Sequence, residues 1–71
     1  VKLPRDVSGP RAVKALRRLG FEVENQEGGH IQLSRGSLKV TVPNHRTLAP
    51  KTLQSILKQA RISVEEFKDE L

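Results

Sequence analysis

The sequence predicts an α+β domain: a helix, three short antiparallel strands, a second helix and a short third helix, with the helices covering one face of the sheet. Three observations carry this prediction. Apolar residues recur at helical spacing on both sides of residues 21–42. Within that span, three short segments alternate apolar and polar residues with period two. Gly28-Gly29 and Gly36 separate these segments at hairpin spacing.

Residues 1–7 read as a lead-in, where Pro4 disfavours helix. Ser8 suits an N-cap, and Pro10 falls in a first turn, where its missing N–H does no harm. Ala12, Val13, Leu16 and Leu19 form an apolar stripe, and Arg11, Lys14, Arg17 and Arg18 lie off it. Gly20 ends the helix, which is expected from about 9 to 19.

In the strands, Phe21 and Val23, then Ile31 and Leu33, then Leu38, Val40 and Val42 are expected to face inward. His30, Gln32, Ser34, Lys39 and Thr41 face outward, and Pro43 ends the third strand. A slip of one residue would turn an apolar set towards water, so parity constrains the turns. Val23 and Leu33 must share a face, which an odd turn of Glu27-Gly28-Gly29 would achieve, with Gly29 left-handed. That register pairs Gln26 with His30 and Glu24 with Gln32. The second turn must be even, either Arg35-Gly36 or Ser34 to Ser37. It pairs Gln32 with Lys39 and His30 with Thr41, leaving Lys39 diagonal to His30.

Asn44 to Ala49 reads as a loop. Pro50 opens a helix with Leu53, Ile56, Leu57 and Ala60 as its apolar stripe, ending near Ala60 or Arg61. Ser63 and Glu66 have capping-box spacing and open a last short helix with Val64, Phe67 and Leu71 inward. This order, α-β-β-β-α with a short extra helix, is the topology of a double-stranded-RNA-binding domain. Topology alone does not establish function.

The 71 residues make one domain, residues 1–71, with a thin core and no room for a large cofactor cleft. There is no cysteine, so disulfides and thiolate metal sites are excluded. No apolar run approaches the roughly 20 residues that span a bilayer, and no signal-peptide pattern opens the chain. No membrane association and a cytoplasmic location are therefore expected.

Thirteen basic residues against eight acidic ones give a net charge of +5, and the charge comes in blocks. Residues 1–20 carry six basic groups and one acid, and residues 35–61 carry six basic groups and no acid. Residues 21–34 carry three acids and no Lys or Arg, and residues 62–71 carry four acids and one base. Such uneven positive charge suits a polyanion such as nucleic acid, and equally a merely soluble basic surface.

Two histidines are the chain's only imidazoles, and their spacing and carboxylate neighbours match no metal-ligand pattern. Ser34 and Ser37 lack the elbow motif of a serine nucleophile. RNA, however, carries its own nucleophile in the 2′-hydroxyl. A protein that cuts it need only move protons and stabilise charge on phosphate, and imidazole titrates in the range for the first task. His30, beside the Gly28-Gly29 turn, can do this. Arg35, Lys39 and the backbone N–H groups of Gly28 and Gly29 can do the second. Taken alone, His30 reads better as an idle strand residue and His45 as a loop residue, while Arg17, Arg18, Lys51 and Lys58 read equally well as solvated helix surface or phosphate contacts. Without exposed aromatic pairs, a base-stacking platform is not expected.

Leu19-Gly20-Phe21-Glu22-Val23, Gly28-Gly29-His30, Val40-Thr41-Val42-Pro43-Asn44-His45, Thr52 to Ala60 and Ile62-Ser63 occur in the order seen in the HicA (YcfA-like) toxins, and the chain resembles that family along nearly its whole length. The resemblance implies a double-stranded-RNA-binding-like fold and a ribosome-independent mRNA interferase activity needing no metal or cofactor. It also implies a HicB-type antitoxin partner that covers the active site, the free toxin being a monomer. It maps the family's catalytic histidine onto His30. The chain departs from the pattern at Gly29, where serine is usual, and at Ile31, where a second histidine is common. Lys51 and Arg61 stand where glycine is frequent. The alternatives are a non-catalytic RNA-binding domain and an interaction module for an acidic partner protein.

Overall fold

The computed structural model describes residues 2–71. Helix α1 spans Gly9–Arg18, strands β1, β2 and β3 span Glu22–Glu27, His30–Arg35 and Leu38–Pro43, and helices α2 and α3 span Pro50–Ala60 and Val64–Asp69. The strands form one antiparallel sheet in the order β1-β2-β3. The predicted α-β-β-β-α fold with its short extra helix is the observed one.

Helix α1 starts as its sequence requires: the Ser8 hydroxyl accepts from the Arg11 N–H at 3.1 Å. Ala12, Ala15 and Leu16 are buried, with Val13 and Leu19 at the core margin. Gly20 follows at φ +99°, a conformation that favours glycine. Helix α3 carries a complete capping box. The Ser63 N–H donates to Glu66 Oε1 and the Glu66 N–H to Ser63 Oγ, both at 3.0 Å. The α3 cap places Phe67 fully in the core, in one cluster with Leu53, Ile56, Leu57 and the sheet residues Leu33, Val40 and Val42.

Both hairpins depart from the expected register, and the reason is the same. Each is closed by a two-residue turn, Gly28-Gly29 or Gly36-Ser37, whose first residue is a glycine with positive φ, +54° and +59° respectively. A two-residue hairpin favours glycine at that position. The left-handed residue of the first turn is therefore Gly28, not Gly29. An even first turn would put Val23 and Leu33 on opposite faces, but the extra residue sits in a bulge between Val23 and Asn25. Val23 still pairs with Leu33. The odd residue thus sits in the strand and not in the turn. Val23 itself is 43% exposed, because β1 lies at the sheet edge beyond full helix cover.

In the second hairpin the turn lies one residue beyond the Arg35-Gly36 setting, which shifts the cross-strand pairing by two residues. His30 consequently pairs with Pro43 rather than Thr41, and Lys39 pairs with Ser34 rather than Gln32.

Helix α2 ends on Arg61, which is left-handed at φ 55° and ψ 42°. A side chain in this conformation costs about 1–2 kcal/mol, part of which glycine gives back through its looser unfolded state. Arg61 is exposed, so its removal leaves no hole. Arg61→Gly should stabilise the domain by about 0.5–1 kcal/mol and raise the thermal midpoint by a few degrees. A lowered midpoint in a calorimetric scan would contradict this account of the cap.

Candidate active site

His30 is the first residue of β2, directly after the turn. Ile31 and Leu33 point into the core, so the alternation puts His30, Gln32 and Ser34 on the face that the helices leave open. His30 is exposed, and its direct neighbours are Glu27 on β1 and Pro43 on β3.

Backbone hydrogen bonds tie three segments together at this end of the sheet. The Asn44 N–H donates to the Gly29 carbonyl at 2.6 Å, holding the turn against the chain leaving β3. One residue further, the His45 carbonyl accepts from the Gly9 N–H at 2.8 Å, docking the start of α1 on the same stretch. Gly9 is buried there with no space for a side chain. A Cβ would overlap the Pro43 carbonyl oxygen and lie 3.0 Å from Asn44 Cα.

His45 therefore belongs to the same end of the molecule as His30. It lies two residues beyond the cross-strand partner of His30, so their Cα atoms are at most about 13 Å apart. The exposed Arg46 follows it, and Arg11 stands in the first turn of α1. From the sequence alone, His45 is a loop residue and neither Arg46 nor Arg11 stands out. The available signal was Pro43-Asn44-His45, a segment that closes a strand and carries the second imidazole.

Other expected site residues lie elsewhere. Lys39 sits opposite Ser34, four residues along β2 from His30, or about 13 Å at strand rise. Its Nζ lies 3.6 Å from Glu24 Oε1. Arg35 is at the far end of β2, where its Nη1 donates to the Leu19 carbonyl at 2.8 Å. Its guanidinium stands 5.4 Å from the centre of the Phe21 ring. Arg35 thus clasps the end of α1 to the sheet. The expectation that Lys39 lies diagonal to His30 is overturned by the two-residue shift in pairing of the second hairpin, and Arg35 stands five residues along β2 from His30. Arg17 and Arg18 are in the last turn of α1, and the Arg18 Nη1 donates to the Glu70 carbonyl at 3.0 Å. Lys51 and Lys58 are exposed in the first and last turns of α2.

The start of α1 offers no free N–H to an anion from its first three residues. Gly9 donates to His45, Pro10 has no N–H, and Arg11 donates to Ser8. A groove of about 330 Å³ runs between α1 and the C-terminus, lined by Arg11, Lys14, Arg18, Glu70 and Leu71. A larger one, about 500 Å³, lies between residues 2–6 and 47–50. Neither includes His30, which stands on an open surface. Among the described residues, no three His, Asp or Glu side chains gather as a metal site. Among the described residues, no helix is long and apolar enough to cross a membrane.

Fold and site together define a small basic domain of the double-stranded-RNA-binding-like class, with an imidazole on the open face of its sheet. A family model for the HicA toxin of bacterial toxin–antitoxin systems matches residues 9–62, and the chain belongs to that family. It is thus a toxin of a toxin–antitoxin pair, with an antitoxin as its partner. No curated protein matches the chain.

Proposed function

We propose that this toxin is a metal-independent endoribonuclease that cuts mRNA, with His30 as a proton-transfer group at the scissile phosphate. The observation that supports this most is the position of His30. It is an exposed imidazole within the matched family span, placed directly behind a two-glycine turn. The RNA 2′-hydroxyl is the nucleophile, and an open face admits a polymer where a closed pocket would not. A Cβ built at Gly28 or Gly29 meets nothing within 4 Å, so the turn stands clear of the rest of the protein and a phosphate can approach its backbone.

Arg17, Arg18, Lys51 and Lys58 are proposed as phosphate contacts away from the scissile bond. Arg35 and Lys39 serve there too, at the far end of the sheet. Arg46 and Arg11, next in sequence to the segments joined by the Gly9–His45 and Asn44–Gly29 hydrogen bonds, are proposed to stabilise charge. A HicB-type antitoxin restrains the toxin by covering the His30 face, and the free toxin acts in the cytoplasm as a monomer.

The test is expression in a bacterial host, together with incubation of the purified protein with RNA in excess chelator. Growth arrest relieved by the cognate antitoxin, and RNA cut despite the chelator, are the expected results. Salt-sensitive RNA binding that leaves the strand intact would instead make the protein a binding domain.

A further inference from the structure

The hairpin that carries His30 also brings a carboxylate to it. Glu27 and His30 are the closing pair of the two-residue turn and direct cross-strand partners. Side chains of such partners leave the sheet on the same face, with Cβ atoms about 4.5–5.5 Å apart. Both residues are exposed. Among the described residues the one ion pair joins Lys39 to Glu24, so no basic side chain holds the Glu27 carboxylate. The three-residue turn expected from the sequence would have placed Gln26 here, and its amide cannot take up a proton at neutral pH. The observed turn replaces it with a group that can.

Attack by a 2′-hydroxyl needs two proton transfers, one from the nucleophile and one to the leaving oxygen. The chain has no Cys and no Tyr to supply either. Resting on the ribonuclease reading above, we infer that Glu27 is the general base and His30 the general acid of cleavage. The Glu27 carboxylate takes the 2′-hydroxyl proton as the 2′-oxygen bonds to phosphorus. The bond from phosphorus to the 5′-oxygen breaks, and that oxygen takes a proton from the His30 imidazolium. The products are a 2′,3′-cyclic phosphate and a 5′-hydroxyl. Glu27 is left protonated and His30 neutral, and solvent resets both. His45 is the rival base, but it lies on the β3 side, two residues beyond the partner of His30.

The experiment compares wild type, Glu27→Gln, His30→Ala and His45→Asn on two short RNAs in chelator. One RNA is natural, and the other has sulfur in place of the bridging 5′-oxygen, so its leaving group needs no proton. Glu27→Gln should lose at least about 100-fold on both substrates. His30→Ala should lose as much on the natural RNA and recover on the sulfur substrate. His45→Asn should stay within a few-fold of wild type. The other charged or titratable groups on the neighbouring segments are Glu24 on β1, His45 and Arg46 after β3, and Arg11 on α1. Equal melting temperatures would exclude unfolding, as both residues are exposed.

Wild-type activity in Glu27→Gln would overturn the assignment, as would transfer of its loss to His45→Asn. Rescue of Glu27→Gln by sulfur would overturn it too. A wild type that cuts neither RNA would overturn the ribonuclease reading itself, and this assignment with it.

Discussion

Gly9→Ala should both destabilise the domain and impair the His30 end of the sheet. Alanine normally favours a helix over glycine, so propensity alone predicts a gain of up to about 1 kcal/mol. Sterics point the other way and dominate. The added methyl would overlap the Pro43 carbonyl oxygen and press on Asn44 Cα at 3.0 Å and the His45 nitrogen at 3.1 Å. All three are backbone atoms, so no rotamer change can relieve them. Relief requires α1 to back away from the chain leaving β3, which breaks the Gly9-to-His45 hydrogen bond and loosens Asn44 against Gly29.

Overpacking of this kind costs about 1–3 kcal/mol. A chain of this size has roughly 4–10 kcal/mol in total. A net loss near 2 kcal/mol should lower the thermal midpoint by about 8–16 °C. RNA cleavage should fall even at temperatures where the variant is folded, since the turn carrying His30 loses its brace. A thermal scan paired with a cleavage assay at low temperature checks both parts. A variant that melts and cuts like the wild type would contradict the packing described for Gly9.

That constraint was not legible in the sequence, and the reason is physical. Gly9 has ordinary backbone angles and sits where any residue can begin a helix. Its need arises from a segment more than 30 residues away, and no local pattern records such a contact. What local physics governs was legible. The Ser8 cap, the Ser63–Glu66 capping box, the helix ends and the inward set of β2 and β3 all follow from spacing and side-chain chemistry.

The hairpins lie between these cases. Parity correctly required Val23 and Leu33 to share a face. It could not say whether the odd residue would sit in the turn or in a bulge, and the preference for glycine at the first position of a two-residue turn decided it. That single choice exchanged Gln26 for Glu27 as the neighbour of His30. The same preference at Gly36 moved Lys39 away from His30. His45 was visible as a residue but not as a neighbour, because its place depends on the docking of α1.

His30→Ala carries the other large expected effect, and it separates chemistry from folding. The side chain is exposed on the open face, with no hydrogen bond or ion pair among the described residues. Its removal should change stability by no more than about 0.5 kcal/mol. Loss of a proton-transfer group lowers a rate typically 10²–10⁴-fold, or about 3–5 kcal/mol of barrier. The measurement is the initial rate of RNA cleavage in excess chelator by wild type and His30→Ala, matched for thermal midpoint. The wild type should cut, and the variant should be slower by at least about 100-fold. Equal rates from two equally stable proteins would contradict the central role given to His30.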